Sequence, residues 1–127
     1  MFETVLFPID NSRQTMDTAA VALKLAQQHH SRLVMLSVVE TEEGAMHDAG
    51  AVTRLLDQAR ASFEQAGVTC EVLEREGKPA FVIGDVADEI NADVIVMGTR
   101  GIAAGGEQQS TAARVIQLAP CPVLVVP

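Results

Sequence analysis

Gly98, Gly101, Gly105 and Gly106 punctuate one stretch of the chain, and Ser110 and Thr111 close it. Upstream stands Val94-Ile95-Val96-Met97, a short β-branched and apolar run that stops at the first of these glycines. The order is that of a strand, a loop and a helix N-terminus. Backbone N–H groups at such a junction, together with the positive end of the helix dipole, favour anions, and in open α/β sheets ligands sit beyond the carboxyl ends of the strands. Glycines at 98 and 101 let the backbone approach a ligand with no Cβ in the way. Ser110 or Thr111 can cap the helix or bond a phosphate oxygen. An ordinary turn explains the glycines as well, because short motifs recur by chance.

Asp10 is the second candidate. It follows Thr4-Val-Leu-Phe-Pro8-Ile9, a nearly continuous apolar run of the kind expected in a central parallel strand. An acid at the end of a first strand can bond a ribose hydroxyl or a metal-bound phosphate, or it can cap the next helix, and local chemistry does not separate these roles. Pro8 has no N–H, and a proline inside a central ladder loses a bond.

The elements that must position these residues follow from periodicity. Met16, Ala19, Leu23 and Ala26 give a first helix, closed by His29 and His30, where the dipole favours cations. Arg32–Val39 reads as a second buried strand, and residues 40–48 as a polar, acidic connection. Val52, Leu55, Leu56, Ala59, Phe63 and Ala66 form the stripe of a second helix, stopped by Gly67. A third strand over Val68–Glu76 alternates polar and apolar residues toward its end, which suits an edge. Pro79 opens a third helix with Val82, Val86 and Ile90 inward. Ala112–Ala119 make a short fourth helix, and Val123–Val126 a last strand. The order implies a five-stranded, mostly parallel, doubly wound α/β sheet, Rossmann-like, with helices on both faces and a single domain over residues 1–127.

Composition narrows the function. A net charge of −8 opposes general binding to nucleic acid or anionic membranes, and the absence of Trp and Tyr removes stacking platforms for single strands. No apolar run reaches membrane-spanning length, and a cytoplasmic location is expected. Cys70 and Cys121 lack metal or redox spacing and read as small core residues. His47 beside Asp48 fits a solvated loop better than a metal site.

Four segments carry a resemblance: Phe7-Pro8-Ile9-Asp10, Gly77-Lys78-Pro79, Val94 to Gly101, and Ala119-Pro-Cys-Pro-Val-Leu-Val-Val126. In this order, over essentially the whole chain, they are similar to the universal stress protein (UspA) family. The resemblance implies a cytoplasmic, homodimeric α/β domain that binds an adenine nucleotide and regulates rather than turns over substrate. It puts the ribose at Asp10, the adenine at the backbone of Val38 near the end of strand two, and the phosphates in the glycine loop. The implied binding set is Pro8, Asp10, Val38, Met97, Gly98, Arg100, Gly101, Ser110 and Thr111, with ATP and Mg²⁺ as ligand and no catalytic residue or resident metal. The implied dimer forms through Val123, Leu124, Val125 and Val126.

The loop departs from the family pattern, which has Gly, two residues, Gly, nine residues, then Gly followed by Ser or Thr. Gly98 and Gly101 match, but only the seven residues Ile102–Gln108 precede Gln109-Ser110 when the end of the chain sets the frame. Keeping nine residues instead puts Thr111 at the glycine, so the third glycine is missing in either frame. A Cβ at a position that needs positive φ costs ~1 kcal/mol or more, which is roughly tenfold in affinity. Glu107 stands where a P-loop has lysine. Two further expectations therefore stand beside the nucleotide switch: a dimeric interaction module that has lost the nucleotide, and slow ATP hydrolysis with Glu107 as the one available base.

Overall fold

The computed structural model describes residues 2–9, 15–39, 49–99 and 111–127. Strands β1 (Thr4–Ile9), β2 (Arg32–Val39), β3 (Cys70–Glu76), β4 (Val94–Gly98) and β5 (Val123–Val126) alternate with helices α1 (Thr15–His29), α2 (Ala49–Gln65), α3 (Pro79–Glu89) and α4 (Thr111–Leu118). The strands form one sheet in the order β3-β2-β1-β4-β5, and every neighbouring pair is parallel. The third strand lies at an edge, as its alternation implies.

Alternation along the central strands sorts the apolar residues into two cores. Val5, Phe7, Ile9, Leu33, Met35, Val94 and Val96 face α1 and α2, meeting Ala19, Ala22, Ala26, Ala59 and Phe63. Leu6, Val34, Leu36, Val38, Ile95 and Met97 face α3 and α4, meeting Ala80, Ile83, Val86, Ala112 and Val115. Phe7 and Phe63 meet edge to face with centroids 6.4 Å apart, a geometry that adds about 0.5–1.5 kcal/mol to their burial.

Two helices differ in detail from the periodic reading. Met16 is exposed, and the buried face of α1 runs through Thr15, Thr18, Ala19, Ala22 and Ala26. In α3 the deepest residue is Ile83, while Val82 and Ile90 pack at the margin. Small residues on α1 bring the helix close to the sheet and leave the longer Met16 outside, which a search for large apolar residues misses. The third strand begins at Cys70, two residues later than its composition suggests, because Val68 is taken up by the end of α2.

Three helices end with the same device. The N–H groups of Ser31, Val68 and Ala92 donate to the carbonyls of Ala26, Phe63 and Ala87 at 2.9 Å, around His30, Gly67 and Asn91 at φ of 52°, 82° and 53°. His30 thus closes α1 through its backbone. Gly77 has φ 141°, and a Cβ there would lie 2.8 Å from Val82 Cγ2, so glycine is required where β3 turns into α3.

Candidate functional site

β1 sits in the middle of the sheet, and the chain leaves its two neighbours in opposite directions: α1 and α2 cover one face, α3 and α4 the other. The carboxyl ends of β1 and β4 are therefore a topological switch point, the place where doubly wound sheets hold ligands. Of the candidate residues, Pro8 and Gly98 lie at those two strand ends, Val38 one residue from the end of β2, Met97 beside Gly98, and Thr111 at the first position of α4. Asp10, Arg100, Gly101 and Ser110, like Glu107 and His47, lie outside the described residues.

Main-chain direction at these ends can be worked out from a few hydrogen bonds. In a parallel sheet alternate residues of a strand turn both N–H and C=O to one neighbour, and those between turn to the other. On β1, the Arg32 N–H donates to the Glu3 carbonyl (2.7 Å), so odd positions face β2. The Asp93 N–H donates to the Thr4 carbonyl, and the Thr4 N–H to Asp93 Oδ2, both at 2.8 Å, so even positions face β4. The Ile95 N–H donates to the Pro122 carbonyl (3.0 Å), which turns odd positions of β4 to β5 and leaves Val94, Val96 and Gly98 facing β1. Val38 shares the parity of Arg32 and faces β1 from the other side. The main-chain groups of Val38 and Gly98 thus converge on the end of β1, immediately before Asp10.

Pairing along β1 is unequal on its two sides. With β2 it runs through six positions, from Thr4 opposite Arg32 to Ile9 opposite Ser37. With β4 it covers Val5 opposite Val94 and Leu6 opposite Ile95, and stops. β4 nonetheless continues to Gly98, paired with β5 as far as Val126. The pairing of β1 with β2 therefore outlasts its pairing with β4.

Among the described residues, the side chains at the ends of β1, β2 and β4 are mostly apolar. Val38 and Met97 are buried on the α3/α4 face, Ser37 is buried on the opposite face, and Pro8 is half-buried. Such walls exclude water from main-chain donors and so strengthen what they bind. Lys78, at the N-terminus of α3, is exposed. Among the described residues no group of three His, Cys, Asp or Glu could hold a metal, and no helix is long and apolar enough to cross a membrane.

The cysteines lie away from this end. Cys70 is buried at the start of β3, whereas Cys121 is only part-buried before β5, a less complete burial than its composition suggests. Burial pushes both thiols up, and at Cys121 the Asp93 carboxylate adds to the effect. The thiolate, the nucleophilic form, is thus disfavoured at both positions.

Comparison with known proteins agrees with the architecture. The sequence model of the Universal stress protein family matches residues 1–127. Over all of this chain and 87% of its own length, the universal stress protein Sll1654 of Synechocystis is 48% identical. A universal stress protein in complex with cAMP superposes with a TM-score of 0.78 at 22% identity, covering 98% of this chain and 97% of that one. The universal stress protein of Archaeoglobus fulgidus in complex with dAMP gives a TM-score of 0.73 at 21% identity, over 100% and 98% of the two chains. At these identities the two structures establish the shared fold. On the whole-chain match and the 48% relative, this chain belongs to the universal stress protein family.

Proposed function

We propose that the chain is a cytoplasmic nucleotide-dependent switch that binds ATP with Mg²⁺ at the carboxyl ends of β1 and β4. One observation carries the reading: the Val38 carbonyl and the Gly98 main chain both face the end of β1, past the last β1–β4 pair. In this reading Val38 receives the adenine, Asp10 the ribose, and Gly98, Arg100, Gly101, Ser110 and Thr111 the phosphates, with Pro8 and Met97 lining the site. The cAMP and dAMP complexes of fold relatives support an adenine nucleotide as the ligand class. Arg100 and Arg114 are the only basic residues from Gly98 onward, so backbone N–H groups, hydroxyls and Mg²⁺ must carry most of the phosphate charge. Binding reorganises the segment between Gly98 and Thr111 and so alters a partner surface; turnover of ATP is slow and incidental.

A second reading has its own support. The missing third glycine and Glu107 weaken a phosphate loop, and the apolar last strand offers a surface for assembly. In that reading the chain is a homodimer through Val123, Leu124, Val125 and Val126 and works by contacts alone.

A thermal-shift titration separates them. A ligand that binds only the folded state adds about 2.7 kcal/mol of stability at a hundred times its Kd. The switch reading expects Tm to rise with ATP·Mg²⁺ up to millimolar concentration. An unchanged Tm over that range leaves the interaction module standing.

A further inference from the structure

We infer that Pro8 is a positioning residue: by withholding one N–H on the β4 side of β1, it ends the β1–β4 ladder early and keeps the switch point open. The inference rests on the nucleotide reading for its ligand but on the sheet alone for its geometry.

Even positions of β1 face β4, so the N–H that Pro8 lacks is one that would have pointed at β4. Its acceptor would be the Val96 carbonyl, since Val96 faces β1 at that level. Pairing of Phe7 with Val96 and of Pro8 with Met97 both require this same bond. Its absence accounts for a ladder that stops at Leu6 opposite Ile95.

The other side of the strand is untouched. The β1–β2 ladder uses the N–H and C=O groups of odd positions, and it runs past Pro8, which lies opposite Leu36, to Ile9. Moved by one residue, a proline would break the β1–β2 pairing and leave the switch point closed. Prolines are normally excluded from central strands because both neighbours need their donors. Here the exception falls on the side where a ligand needs the space. The Val96 carbonyl, which faces β1 at that level, receives no N–H from Pro8.

The test is Pro8→Ala, which restores the donor, with Pro8→Val as a second variant of different volume. Hydrogen exchange on the nucleotide-free protein reads the ladder directly. The new amide at position 8 is expected to exchange at least about a hundredfold more slowly than an open amide. Reopening the added ladder bond on binding then weakens ATP·Mg²⁺ by about three- to tenfold in both variants. An unprotected amide at position 8 overturns the inference, because the ladder then stops for another reason. A protected amide with unchanged ATP affinity also overturns it, since the opening would not matter to the ligand, and so does an affinity loss in only one variant, which would reflect side-chain volume. If the wild-type protein shows no response to ATP, the nucleotide reading fails, while exchange at position 8 still decides what ends the ladder.

Discussion

The two edges of the sheet solve the same problem in opposite ways. A strand edge presents unpaired N–H and C=O groups that can template association. β3 carries Glu71, Glu74, Arg75 and Glu76, all exposed, and Arg32 on β2 reaches across to hold Glu71. β5 is Val-Leu-Val-Val, with Leu124 41% exposed and no charge in the strand. One edge carries charge that deters a neighbour, and the other, short and flanked by Pro122 and Pro127, carries none. The homodimer proposed above through the last strand rests on this difference between β5 and β3.

The largest expected effect comes from breaking β5 as an edge without breaking it as a strand. The Pro122 carbonyl faces β4, so even positions of β5 face inward and the N–H groups of Val123 and Val125 point outward. Val125→Pro therefore removes an outward donor and leaves the β4 ladder its own. Light scattering at micromolar concentration is expected to show a dimer for the wild type and a monomer for the variant, with dimer affinity down roughly a hundredfold or more. Tm at low protein concentration should fall by no more than about 5 °C. A variant that stays dimeric, or a wild type that is monomeric, refutes the assignment of β5.

The reverse manipulation on β3 has a smaller effect. Glu74→Val with Glu76→Val gives the charged edge the character of β5. Scattering that grows with protein concentration is expected, because two of the charges that deter pairing are gone. A double variant as monodisperse as the wild type would mean that something other than charge protects this edge.

How much of this was legible in the sequence depends on the range of the interaction. The continuous apolar runs of β1, β2 and β4 announced a sheet covered on both faces, because burial on both sides leaves no room for polar alternation. The polar alternation of β3 announced its edge. Helix faces were read less well where small residues do the packing: Ala22 and Thr18 are buried and Met16 is not. Pro8 shows a different limit. That it must cost a ladder bond follows from its chemistry, but which ladder loses it depends on strand order and on the parity of a residue 85 positions away, Asp93 against Pro8. For the candidate site, Val38 and Gly98 were placed by resemblance and by glycine spacing, and their main-chain direction required the sheet. Asp10, Arg100, Gly101 and Ser110 lie outside the described residues, so their part in the site stays with the nucleotide proposal.

The smallest effect concerns how the refusing edge is held. Arg32 clasps Glu71 with both Nε and Nη2, the latter donating to Oε1 at 2.9 Å, a forked pair that ties β3 to β2. The hydrogen bond from Arg32 holds the Glu71 carboxyl below its ordinary range, and the same bond raises the guanidinium, which stays charged throughout. A carboxyl whose folded pKa lies below its unfolded one stabilises the fold above the unfolded value, and that contribution is lost as pH falls through the folded one. Both side chains are about half exposed, 47% and 48%, so solvent screening limits the pair to at most roughly 1 kcal/mol. Urea unfolding of Glu71→Gln is therefore expected to show a deficit of that size at pH 7. The deficit should shrink toward zero in acid, where the wild-type carboxyl is protonated too, and shrink again at high salt. A deficit that keeps its size across the acid range would mean that Glu71 holds the edge by packing along its stem, and the charge on β3 would then serve only to keep other strands away.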